Sequence, residues 1–187
     1  MRTMKNQVKT IFLLLMTAMM FVACNKQPSI QEYYVEKQEN NNFIAIDLPA
    51  SLIKLNENAS QETRETLGTI KKLNVIAFKI NDSNKKDFDA EFAQIKTILK
   101  GDRYNELMRM KHENYNIVIN YEGSEEAVDE FILFASDKNQ GFALARVLGN
   151  KMQPEKIMKM VNDFKSIDKD DAAFSQLTEL FGGLDKK

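Results

Sequence analysis

The chain has 187 residues, with 26 Lys and Arg against 27 Asp and Glu. That length suits one ordinary domain, and the charge balance offers no basic footprint for nucleic acid. There is one cysteine, so an intramolecular disulfide is excluded and stability has to come from a packed core.

Residues 1–23 read as a signal peptide: Arg2, Lys5 and Lys9 precede an apolar run from Ile11 to Ala23. The run is shorter than the ~20 apolar residues that a membrane-crossing helix requires. Phe21-Val22-Ala23-Cys24 resembles the lipobox of bacterial lipoproteins, with Phe21 standing where leucine is usual. The resemblance implies cleavage between Ala23 and Cys24, a diacylglyceryl and palmitate-type acyl anchor on Cys24, and the membrane as a partner. Acylation also removes a thiol that would otherwise sit unpaired in an oxidising compartment. Two or three chains hold a protein stably, whereas one binds marginally at ~0.8 kcal/mol per buried CH₂. Removing residues 1–23 takes away three cations and no anions, leaving 23 Lys and Arg against 27 acids. A net charge near −4 gives no separate grip on anionic lipid.

Residues 24–42 are rich in Gln, Asn, Glu and Lys and predict a flexible tether, with Tyr33, Tyr34 and Val35 able to dock locally. Order is predicted from Phe43, with a short strand to Asp47. Pro49 suits the first turn of a helix through Leu52, Ile53 and Leu55. Ser60 is the expected N-cap of a second helix that turns Leu67 and Ile70 inward. Leu73 to Ile80 reads as a buried strand stopped by Asn81-Asp-Ser-Asn84.

Phe88, Phe92, Ile95 and Leu99 fall at i, i+4, i+7 and i+11, one stripe of a helix that Gly101 ends. From Glu106 the period becomes two. Met108 and Met110 alternate with Arg109 and Lys111, and after a turn at His112–Asn114, Tyr115, Ile117, Ile119 and Tyr121 alternate with Asn116, Val118 and Asn120. Two neighbouring strands with one buried face produce that pattern. Turns at Glu122–Ser124 and Asp137–Gly141 frame a strand through Val128 and Phe134, and Phe142 to Leu148 forms the next. Pro154 opens a helix with Ile157, Met160, Val161 and Phe164 on one face.

The order is β-α-β-α, then a four-stranded antiparallel meander and a closing helix. It predicts a single α+β domain over residues 43–164, a mixed sheet with helices on one face. The first two strands would pair parallel through a right-handed crossover if they are neighbours, and strand order is not readable. Residues 165–187 form an amphipathic C-terminal tail, with Phe174, Leu177, Leu180 and Phe181 on one side of a short helix. That stripe either folds back over the domain or protrudes as an interaction face for an envelope protein.

Leu73-Asn-Val-Ile-Ala-Phe78, Tyr104-Asn-Glu-Leu-Met-Arg109, Phe131-Ile-Leu-Phe134 and the Phe142 to Gly149 strand leading into Ile157 resemble the family called domain of unknown function 4252, found in lipoproteins of Bacteroidota. The similarity spans roughly Phe43 to Phe164. It implies a cell-envelope lipoprotein anchored to the outer membrane and brings no activity, cofactor or catalytic residue. Surface-exported lipoproteins of that group carry an acidic run after the cysteine, and Asn25 to Glu32 holds one acid, so the domain is expected to face the periplasm.

Chemistry is thinly marked. Met108, Met110 and His112 would share one strand face, and thioether with imidazole ligands suits copper. Core filling by methionine and a histidine at a turn explain the same residues. Asp168, Asp170 and Glu179 fall at positions 1, 3 and 12 of a calcium-loop register, but Ala173 stands where that loop needs glycine. With one histidine and no Gly-x-Ser-x-Gly elbow, no hydrolase triad is assembled. Glu125, Glu126, Asp129 and Glu130 read as a charged turn and the solvent face of a strand. No metal, cofactor or catalytic residue is therefore expected. The reading is a lipid-anchored, non-enzymatic protein-binding or structural module, with a periplasmic small-ligand or metal carrier as the alternative.

Overall fold

Six strands and four helices account for residues 28–112 and 114–162, which the computed structural model describes. Helix α1 (Ile30–Lys37) starts at a capping box: Ser29 Oγ accepts from the Glu32 N–H, and Glu32 Oε2 accepts from the Ser29 N–H, each at 3.1 Å. Strand β1 (Phe43–Pro49) runs into a single 3₁₀ turn at Ala50–Leu52. Helix α2 (Gln61–Thr69) is capped by Ser60, whose Oγ accepts from the Thr63 N–H at 3.0 Å. It flows without a connector into β2 (Ile70–Lys79). Then come α3 (Lys85–Leu99), β3 (Asn105–His112), β4 (Tyr115–Ser124), β5 (Ala127–Asp137), β6 (Gly141–Met152) and α4 (Pro154–Asn162).

The strands form one sheet in the order β1-β2-β6-β5-β4-β3, and every neighbouring pair is antiparallel. The α+β class, the meander from β3 to β6 and the closing helix α4 are as predicted. The mixed sheet is not. A parallel β1–β2 pair would need a connection that travels the length of the sheet, but α2 is only 9 residues long and joins β2 directly. The chain therefore re-enters from the end it left. The true crossover is β2-α3-β3, in which α3 spans the sheet and β6, β5 and β4 later fill the space between two co-directional strands.

The helices also lie on both faces rather than one. On the first face α1 and α3 bring Ile30, Tyr33, Phe88, Ile95 and Ile98 against Ile76, Phe78, Ile132, Phe134, Phe142 and Leu144. On the second face α2 and α4 bring Leu67, Ile157 and Met160 against Ile119, Tyr121, Phe131 and Met152. The cause is visible in the strands. Residues 118–121 of β4 and 141–146 of β6 are buried consecutively, so each strand needs cover on both sides.

The first-face core is largely aromatic. Phe78 stacks on Phe142 with centroids 5.7 Å apart, Phe43 meets Phe78 edge-on at 5.1 Å, and Phe88 and Phe92 extend the cluster from α3. Such pairs add about 0.5–1.5 kcal/mol each beyond area burial. The β5–β6 hairpin that sets this register closes at Gly141, whose φ is +128°. A Cβ there would collide with the Phe78 carbonyl oxygen, and Asp137 Oδ1 accepts from the Asn139 and Gln140 N–H groups to tighten the turn.

Two further predictions are corrected. The helix expected through Leu55 is only the 3₁₀ turn, because Ile53 is already extended. The flexible tether expected over residues 24–42 instead contains α1 within its described part, with Ile30, Tyr33 and Tyr34 buried in the main core and Val35 exposed. Ile30→Ala should accordingly cost about 2–4 kcal/mol of unfolding free energy in urea. A loss below about 0.5 kcal/mol would return this segment to the tether.

Candidate functional site

Where α1 covers the first face, a row of polar side chains crosses the sheet. Register places Asp47 of β1 opposite Asn74 of β2, and Asn74 opposite Arg146 of β6. Asn74 Nδ2 donates to Asp47 Oδ1 at 2.8 Å, and Arg146 Nη1 donates to Asn74 Oδ1 at 3.3 Å. Arg146 Nη2 donates to Glu130 Oε2 on β5 at 2.6 Å and to Gln31 Oε1 on α1 at 3.1 Å. The Tyr104 hydroxyl donates to Glu130 Oε1 at 3.2 Å and accepts from the Ile30 N–H at 3.0 Å.

Both charges are almost fully enclosed, with Arg146 at 7% and Glu130 at 4% side-chain exposure. Each therefore depends on the other and on its hydrogen bonds. Arg146 Nε has no hydrogen-bond partner among the described residues. Burial first, and the Glu130 charge second, push the Tyr104 hydroxyl up to about 12. The polar atoms point at one another rather than into a cleft. What this arrangement does chemically is hold: it fastens the start of α1 to β6 through Gln31 and to β5 through the Ile30 N–H and Tyr104.

The residues singled out from sequence are placed differently. Met108, Met110 and His112 do share a face of β3, an edge strand. Met108 is packed into the second-face core, while Met110 and His112 are exposed. Same-face residues on one strand are spaced roughly 6.8 Å apart, so the strand alone does not bring the three to one ion. Among the described residues no three His, Cys, Asp or Glu side chains cluster as a metal site would require. Glu125, Glu126 and Asp129 are exposed, but Glu130 is buried, correcting its assignment to a solvent face. Ala23, Cys24, Asp168, Phe174, Leu177, Glu179, Leu180 and Phe181 lie outside the described residues.

The surface also carries polar depressions. One, of about 160 Å³, lies between α2 and α4 beside Ser60, Thr63, Thr66 and Lys156. Another, of about 320 Å³, is bounded by Asn81, Asp82, Lys85, Lys138 and Asn139. Both are lined chiefly by polar and charged groups, unlike the mostly apolar walls of ligand pockets. No helix among the described residues is long and apolar enough to cross a membrane.

The fold and its sealed polar row define a small α+β domain whose two layers of helices enclose one antiparallel sheet. The chain belongs to the family called domain of unknown function 4252, which matches residues 33–160, from within α1 to α4. No curated protein and no solved structure matches it.

Two measurements check the clamp. Arg146→Met should lower stability by about 3–5 kcal/mol in urea, because Glu130 is left buried and unpaired, and adding Glu130→Gln should restore a large part of that loss. A single-mutant cost under about 1 kcal/mol would show that the pair is not sealed. The second test is alkaline. Unfolded tyrosine ionises near 10 and folded Tyr104 at about 12, so its contribution is complete below pH 10 and is lost as pH rises to 12. Melting temperature should fall more steeply over that window in the wild type than in Tyr104→Phe, and parallel curves would contradict the assignment.

Proposed function

We propose that this protein is an exported lipoprotein, anchored to the outer membrane through acyl chains on Cys24 and facing the periplasm, that presents a non-enzymatic protein-binding or structural domain. The observation that carries the reading is the N-terminal pattern: Arg2, Lys5 and Lys9, the apolar run from Ile11, then Ala23 and Cys24. The domain supports the second half, because the buried Arg146, Glu130 and Tyr104 are committed to one another. A periplasmic small-ligand carrier is the alternative, and the depression beside Asn81 and Lys138 is where it would be sought.

The docked helix changes what such an anchor would do. With Ser29 buried as the cap of α1, only residues 25–28 separate the acylated cysteine from Ser29. The five Cα–Cα steps from Cys24 to Ser29 reach at most about 18 Å when extended. The domain would be held against the bilayer surface rather than suspended from a long leash, and its partners would be met there.

Cys24→Ala tests the reading. The wild type should partition with membranes and incorporate a fatty-acid label, and the variant should do neither. Label incorporation or membrane retention by the variant would contradict the anchor.

A further inference from the structure

The sheet ends in two edge strands, β1 and β3, and they are built differently. β3 carries the devices that keep an edge from pairing: the exposed charges of Glu106, Arg109 and Lys111, and a register break between Glu106 and Met108. β1 has neither over Phe43 to Ile46. Its register with β2 runs without a break from Phe43 to Pro49, no charge precedes Asp47, and Ile44 is 53% exposed. The direction of its main-chain groups follows from one contact. The Phe43 N–H donates to the Asn40 carbonyl at 2.9 Å, so it is not spent on Phe78 opposite it. Bonded and non-bonded pairs alternate along an antiparallel ladder. Ile44, Ile46 and Leu48 therefore bond to β2, while Ala45 and Asp47 turn their N–H and carbonyl groups outward, together with the Phe43 carbonyl. Pro49 is next in the outward series, where a residue without an N–H costs the ladder nothing.

We propose that β1 is a self-association edge, on which a second copy of this chain pairs antiparallel and two-fold symmetric about Ala45. Ala45 then faces the partner's Ala45, and each N–H donates to the other's carbonyl. Phe43 faces the partner's Asp47, whose N–H reaches the Phe43 carbonyl. Ile44 faces the partner's Ile46 in the closer, non-bonded type of pair, which covers the exposed isoleucine. What selects a second copy over an unrelated strand is self-complementarity. Ile44-Ala45-Ile46 reads the same in both directions, so one two-fold axis matches the outward donors to the outward acceptors and sets isoleucine on isoleucine at both ends, as an isologous contact requires. Charge permits the same register. The two Asp47 carboxylates fall at opposite ends of the pairing, four residues or about 13 Å apart along the strands, so like charges do not face each other. The contact joins two six-stranded sheets into one, and it holds whether or not the chain is acylated.

Sedimentation equilibrium of the full Cys24→Ala chain at micromolar concentration tests this, and twice the chain mass is expected. Ile44→Lys and Ala45→Pro in that background should each return the single chain mass with an unchanged far-ultraviolet circular dichroism spectrum, because Ile44 is exposed and proline suits an outward-facing edge position. As an independent readout, Ala45→Cys gives the Cys24→Ala chain one thiol. Mild oxidation should join two such chains, since bonded partners have Cα atoms about 5.5 Å apart, within disulfide reach. Met110→Cys, on the β3 edge and 42% exposed before substitution, should give far less disulfide dimer. A single chain mass for the Cys24→Ala protein would leave the edge to another partner and overturn the proposal. A dimer that survives both Ile44→Lys and Ala45→Pro, or equal disulfide yields at the two edges, would also overturn it.

Discussion

Arg146 and Glu130 meet at 2.6 Å beneath α1, and the position of that helix follows from them. A guanidinium and a carboxylate can stay this far from water only if their remaining hydrogen-bonding positions are filled and the space above them is closed. Gln31, Asn74 and Tyr104 supply the filling, and the buried Ile30, whose N–H bonds the Tyr104 hydroxyl, supplies apolar cover beside them. The dependence runs both ways. α1 is a short helix of 8 residues, too short to persist alone, and it is ordered because the polar row and the phenylalanine cluster give it a place to dock. Asn74 and Asp47 extend the same row to β1, so the edge of the sheet nearest the helix is tied into it.

Much of this was legible in the sequence. The Phe88, Phe92, Ile95 and Leu99 stripe located α3, Ser60 and Pro154 marked two helix starts, and the switch to period two announced the meander. What escaped was two-sided burial. Alternation assigns one face of a strand to water, so Asn120 and Glu130 looked solvated although each is 3% exposed. A signal for Glu130 existed, since counting back from the Asp137–Gly141 turn pairs Ile132 with Arg146 and leaves Glu130 one diagonal step away. For α1 the signal was Ser29 with Glu32, a capping box masked by its polar surroundings. The antiparallel start of the sheet was not legible, because nothing local states whether a helix lies across a sheet or at its end.

These corrections bear on the functional reading more than the elements that were foreseen. A long polar tether would have made the lipid anchor and the domain independent of each other. A helix docked from residue 30 couples them: the proposed anchor pulls on α1, and α1 is fastened by the buried ion pair. The N-terminal region is then read as an extension of the folded unit, holding it to a bilayer.

The central claim is that α1 belongs to the cooperative core, held there by the Arg146–Glu130 pair. Hydrogen–deuterium exchange of the folded protein, resolved to residues 30–37 and compared with β2 and β6, tests it most directly. The account predicts that amides within α1 exchange with protection approaching that of the two central strands. Exchange of α1 at unprotected rates while β2 and β6 stay protected would show that the helix is a detached leader and would contradict it.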